Sequence, residues 1–542
     1  MANEKSMGWK AGAALRMAIA MAALAGCGQQ GGAAGSASAA TALDASDPST
    51  LVILAGSELK DIEPLLPLVK AATGVSVKLS YAGTLEAVER MQAGEPLDGA
   101  WLASSRYAML IPEAKARVAA SERTMLTPVV LGLRASKAAE LGWDKRSDVT
   151  WRDIADAAAK GKFTFAMTSP TSSNSGFTGL LGLAAALSGK GDALEAKDVD
   201  AKRLGDFFKA QRLTAGSSGW LADRYVAEQD KVDGMVNYAS TLASLNNNPG
   251  LREKLALIYP RDGIMTADYP IMLLNKDKRD AYDKVVAYLR GAQFQAAMTK
   301  ATLRRPVNPD VPSSDPAPSN LAELSFPAKL DVVDAVLASF DNALRLPTDS
   351  TFVLDTSGSM GGSRLDDLKA AMMGLAGADA SISGRFAKFR DRESIRVVVF
   401  NSAPEKTQAF AMGVDRARNG QELEKIASLA KGLNADGGTA LFDAARQAYE
   451  EAALRRRADP AKFYSIVLMT DGLSNQGMSG EEFQAWYDAL PAADKGIKVF
   501  PVLFGEGDQG QLAGLAKLTG GRVFDSRRSK LAGVFKEIRG YQ

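Results

Sequence analysis

The chain has no histidine among its 542 residues. Ser-His-Asp and Cys-His catalysis, histidine-ligated zinc or haem, and imidazole pH switching are all excluded, because each needs that ring. Cysteine is almost as scarce. Cys27 is the only one, so no intrachain disulfide, thiolate zinc cluster or CxxC redox pair can be built. No stretch beyond the first thirty residues approaches the roughly 18 consecutive apolar residues of a membrane span. Excess charge is also missing: 65 Lys and Arg face 63 Asp and Glu. Removing residues 1–26, which hold Lys5, Lys10 and Arg16 against Glu4, leaves 62 of each sign and no electrostatic case for nucleic acid as partner. With 46% hydrophobic and 24% charged residues the composition is that of an ordinary globular protein. The length suits several domains of roughly 150 residues each.

The first segment reads as an address. Three basic residues precede the small-apolar run 17–24, too short to cross a bilayer but suited to an export signal. Leu24-Ala25-Gly26-Cys27 resembles the lipobox of bacterial lipoproteins. The resemblance implies a signal peptide at 1–26, a lipid on the Cys27 sulfur, and a mature protein on the bacterial cell envelope facing the periplasm or the exterior. Several acyl chains at about 0.8 kcal/mol per buried CH₂ would hold it there without a spanning helix. Gly28 in place of aspartate fits transfer to the outer membrane. Residues 27–48 hold little but small and polar residues and read as a flexible tether.

From 49 to 301 short apolar strands alternate with amphipathic helices, which predicts α/β lobes with mainly parallel sheets. Strands are expected at 51–54, 75–81, 98–104, 127–133 and 163–167, and the segment 179–192 as an apolar helix ending at glycine. The strand-then-serine turns at Ser57 and Ser104, the segment 168–177 and the segment 261–273 resemble the two-lobed extracellular solute-binding proteins of ABC importers. Ligands of open α/β sheets sit beyond the carboxyl ends of strands, where helix N-termini offer N–H groups. Ser172, Ser173, Asn174 and Ser175 are therefore candidates to hold an oxyanion or carboxylate, with Ser57, Ser104 and Tyr269 as further candidate ligand contacts. Capping and turn formation use the same residue types. Ser217 and Ser218 beside Trp220 are a further candidate rim. Residues 302–347 begin proline-rich, which predicts a semi-rigid linker, followed by a helix near 329–345.

The last module, 348–542, opens with an apolar strand ending in Asp355, then Ser357 and Ser359 at alternate positions. Thr439 follows in a glycine-containing loop before a helix, and Asp471 ends a second apolar strand. These five residues resemble the metal-ion-dependent adhesion site of von Willebrand factor type A domains, which implies a doubly wound, Rossmann-like fold and a site at the top of a parallel sheet. Hydroxyls and carboxylates are the hard oxygen donors that Mg²⁺, or Mn²⁺ or Ca²⁺ in its place, requires. Two aspartates against a dication leave the site formally neutral, open to an acidic side chain from a protein partner. Ser363 is the expected cap of the next helix, with Leu365, Leu368, Met372 and Leu375 on its buried face.

No enzymatic activity is expected: Ser357 has no histidine to activate it, and 179–192 lacks GxxxxGK[ST]. The overall expectation is an α/β, two-lobed periplasmic-binding-protein-like module followed by a von Willebrand A domain. Its expected work is binding or adhesion, with metal-dependent partner capture at one end and a solute or protein in the lobes. The alternative is a solute receptor of an ABC importer that uses the second module for docking.

Overall fold

The computed structural model describes residues 48–190, 193–313, 321–504, 509–526 and 531–541. Cys27 and the tether lie outside the described residues. No helix among the described residues is long and apolar enough to cross a membrane.

The first lobe is a five-stranded sheet. Its strand Thr50–Gly56 is parallel to both Ser76–Ala82, at the edge, and Gly99–Trp101, at the centre. The chain returns from the second lobe to complete it with Pro270–Leu273, which runs antiparallel to Gly99–Trp101. The second lobe is seven-stranded, built on the long strand Met125–Arg134. Expectation and structure part here. Met125–Arg134 pairs antiparallel with Gly234–Tyr238, Leu255–Ile258, Thr266–Ala267 and Arg305–Pro306, so only part of each sheet is parallel. The pairing also shows that the start of the proline-rich segment is not linker: Arg305–Pro306 is an edge strand, where a missing N–H does no harm. Further on, Ile264 N–H donates to the Ala322 carbonyl at 2.9 Å.

The third sheet has the strand order Gln408–Ala411, Glu393–Phe400, Thr348–Asp355, Phe463–Thr470, Lys498–Leu503, Phe524–Asp525, parallel except for the first. Period-two alternation divides its residues between two faces. Phe352 and Leu354 join a core with Leu368, Met372 and Ile538, while Val353 joins one with Leu441, Tyr449 and Leu515. The edge strand Gln408–Ala411 is mostly exposed, so no apolar run marks it. The helix Ser363–Met373 buries Leu365, Leu368 and Met372, but its cap is Gly362 at φ 81, and Ser363 is already its first helical residue.

Candidate functional site

The chain leaves the strand Thr348–Asp355 to one side of the sheet and later returns to its other side. That reversal leaves a crevice at the carboxyl end of the central strand, the place where loops can converge. Asp355 sits there fully buried. Its Oδ1 accepts from the Ser357 N–H at 2.8 Å and its Oδ2 from the Thr470 hydroxyl at 2.5 Å. Burial pushes this carboxyl above its ordinary range against those hydrogen bonds, and the Asp471 carboxylate adds to the rise. Thr470 was not singled out in the sequence. It lies one residue before a conspicuous aspartate, and only strand register shows that its hydroxyl faces Asp355.

Four of the five metal candidates are buried; Ser359 is exposed. The Ser357 and Ser359 oxygens are 3.1 Å apart, and the Ser359 hydroxyl donates to Asp471 Oδ1 at 2.8 Å. Thr439 is held by its backbone, donating to Asn475 Oδ1 at 2.8 Å and accepting from Asn475 N–H at 3.1 Å. Its hydroxyl and that of Ser359 flank one small space: a methyl on Gly472 would lie 4.0 and 3.7 Å from them. The loops are tied together by Gly358 N–H to the Gly437 carbonyl at 3.0 Å. Gly437 has φ +76, and a Cβ there would stand 2.7 Å from the Ser402 hydroxyl, so this turn requires glycine.

These donors fit a small hard cation. Ligands at right angles about 2.1 Å from Mg²⁺ are about 3.0 Å apart, close to the Ser357–Ser359 and Ser359–Asp471 oxygen spacings of 3.1 and 2.8 Å. No group of three or more His, Cys, Asp and Glu able to hold a metal lies among the described residues, so an ion here relies on hydroxyls. Arg364 was missed in the sequence. From the first turn of the following helix its guanidinium pairs with Asp471 Oδ2 and also reaches the Ser359 carbonyl at 3.2 Å. A basic residue on a polar helix face carries no signal that it folds back over a loop.

The candidates in the lobes separate into groups. Ser57 and Ser172 line one chamber of about 300 Å³ together with Ser217, whereas Ser104 lines a different, far smaller cleft beside Tyr107 and Phe326. Ser173, Asn174 and Ser175 are buried where the lobes meet. Asn174 Nδ2 donates to both Glu58 carboxylate oxygens at 2.9 Å, and its Oδ1 accepts from Thr84, so this side chain latches one lobe to the other. Ser175 is satisfied by the Thr168 and Ser218 hydroxyls at 2.9 and 2.7 Å. Tyr269 is fully buried at φ 40, under the Arg304 guanidinium 4.9 Å from its ring centre. Arg304 Nη1 donates to both Asp61 carboxylate oxygens at 2.8 Å. Trp220 packs edge-on against Tyr541 at 4.6 Å.

Comparison with known proteins divides the chain in the same way. Residues 50–304 match the family model described as bacterial extracellular solute-binding protein, and residues 349–537 match the von Willebrand factor type A domain. No curated protein matches the chain. Among solved structures it resembles the sulfate-binding protein SubI from Mycobacterium tuberculosis H37Rv, at 18% identity and TM-score 0.41, over 53% of this chain and 98% of that one. It also resembles the ferric binding protein from Campylobacter jejuni, at 16% identity and TM-score 0.40, over 53% and 96%. A third is the periplasmic binding protein AfuA from Actinobacillus pleuropneumoniae, at 15% identity and TM-score 0.41, over 54% and 97%. The chain thus joins a solute-binding-protein-like domain to a von Willebrand A domain.

Proposed function

We propose that this pairing makes an envelope-exposed binding protein, anchored by lipid on Cys27, whose von Willebrand A domain captures an acidic group of a protein partner through Mg²⁺. The observation that supports it is the run of three hard oxygens, Ser357, Ser359 and Asp471, at octahedral-edge spacing beside Thr439 at the end of the sheet. Bound there, the ion supplies an electrophilic centre for a carboxylate. Asp355 organises the loop from below, and Arg364 adds a positive charge facing the same space. The solute-binding-like lobes hold a small solute, and no chemical transformation is assigned to either module.

The test is capture from solubilised envelopes with the lipid-free mature chain in Mg²⁺, repeated with chelator and with Asp355→Ala. A partner retained only by the metal-loaded wild type supports the reading. A partner that survives both controls, or none at all, overturns metal-dependent capture and favours importer-type solute delivery.

A further inference from the structure

The chain passes between the two lobes at 124, at 268–269 and at 303–304, each time through a connection of one or two residues. Short connections of this kind are where packed bodies swing against each other. Here the lobes are also tied from outside, by the von Willebrand A domain, which touches both of them.

On the first lobe it rests through the helix Ile382–Ala387, packed on Thr84–Gln92. Phe386 is buried in the apolar cluster of the lobes, and Ser383 N–H donates to the Glu89 carboxylate at 2.8 Å. Lys536 of the terminal helix Leu531–Arg539 lies 3.3 Å from the same carboxylate. The end of that helix lands on the second lobe. A Cβ on Gly540 would stand 2.6 Å from the Ser172 side chain, and one on Gly216 would stand 2.5 Å from the Tyr541 ring, so the approach requires glycine on both sides. Tyr541 is gripped by Trp220 of the lobe and by Phe500 and Phe524 of its own sheet. Val534, Phe535 and Ile538 fix the helix in the core that holds Phe352. Anchored there, the helix cannot follow one lobe away from the other. Swinging the lobes apart must either strip Phe386 and Glu89 of their partners or draw Tyr541 out of its packing, and each exposes a buried aromatic ring to water.

We propose that the von Willebrand A domain is a strut across the solute-binding-like lobes, holding them at one spacing, and that the lobes separate only when one end of it lets go. Lobe movement and domain docking are then a single equilibrium, so whatever shifts one shifts the other. The chamber of about 300 Å³ is covered by the same helix at Gly533, Lys536 and Glu537, and its opening follows that equilibrium. The strut does not depend on what the lobes bind.

The test is electron–electron double resonance on the lipid-free mature chain with Cys27→Ser, spin-labelled at Lys115→Cys in the first lobe and Lys160→Cys in the second, both exposed positions. The otherwise unchanged protein should give one narrow distance. Glu89→Ala with Phe386→Ala cuts one end of the strut, and Tyr541→Ala cuts the other. Either should add a second distance, longer by several ångström. It appears beside the first, because the Asn174 latch and Phe326, whose ring is 6.1 Å from Phe177, also span the lobes. Leu468→Ala, which opens a hole in the von Willebrand A core away from the lobes, should leave the single distance narrow. A strut fails when either end is cut, so a narrow distance retained in either end variant overturns it. Two distances in the otherwise unchanged protein overturn it as well, as does equal broadening by Leu468→Ala, which would assign the effect to general loosening.

Discussion

At the scale of single residues, Asp355, Ser357 and Ser359 stand out as hard-oxygen donors at alternate positions after an apolar strand, whereas Thr439 and Asp471 join them only through the resemblance to the adhesion site. Arg364 does not stand out, since its role depends on a contact across 107 positions. Its charge opposes that of the ion and assists that of an acidic partner. Arg364→Gln should therefore tighten Mg²⁺ roughly fivefold at low salt, on the order of 1 kcal/mol, measured by calorimetry, while weakening partner capture. A Gln variant with looser metal binding would show that Arg364 supports the loop instead. Two glutamates, half-buried Glu86 and fully buried Glu393, set opposite pH responses. Burial pushes Glu86 up to about 7 from 4.5, so the folded state holds its proton longer and stability is lost as pH rises through that window. Burial opposes ionisation of Glu393 too, but Arg539, Arg345 and Arg390 win and hold it at about 2, so its contribution is present above 4.5 and is lost as pH falls towards 2. Urea unfolding of the wild type should show a decline in stability between pH 4.5 and 7 that Glu86→Gln removes; a decline that survives in the variant would show that Glu86 is not its source.

At the scale of elements, most strands could be read from apolar runs, and the helix Asn174–Ser188 does end at a left-handed glycine, Gly189. What could not be read was pairing direction, because a buried strand has the same apolar run whichever way its neighbour points. The terminal helix shows a related limit. Its apolar positions predict burial, but nothing local says that its end lands on another domain. Tyr541 meets Trp220, Phe524 and Phe500 with ring centres 4.6, 5.5 and 5.9 Å away. Tyr541→Ala should cost about 3 kcal/mol, as large-to-small changes in a packed core do. Gly540→Ala should cost about 1–3 kcal/mol by overpacking against Ser172 and Gly216. Urea titrations measure both; a neutral Tyr541→Ala would mean that this helix end is not docked in solution.

At the scale of the molecule, the two modules and the proline-rich segment between them suggest independent bodies in the sequence, whereas the structure gives them a common interior. One apolar cluster runs from Val130, Leu213 and Leu242 of the second lobe into Phe352 and Val467 of the von Willebrand A sheet and Phe535 of the helix Leu531–Arg539. Arg224 donates across the boundary to the Gly520 carbonyl at 2.7 Å, and the buried Lys498 lies 3.7 Å from Glu228. Such non-local contacts leave no periodic trace in a sequence. They join the amino end of the central strand to the lobes, while the metal candidates stand at its carboxyl end, eight residues or about 25 Å away. An ion bound at the far end should therefore stabilise the lobes as well, because a shared core cannot unfold in halves. Calorimetric unfolding of the mature chain should show one transition, shifted upward by Mg²⁺ as a unit, by about 2.7 kcal/mol at a hundredfold excess over Kd. Asp355→Ala should abolish the shift and keep the single transition. Two transitions, of which Mg²⁺ moves only one, would separate the domains energetically.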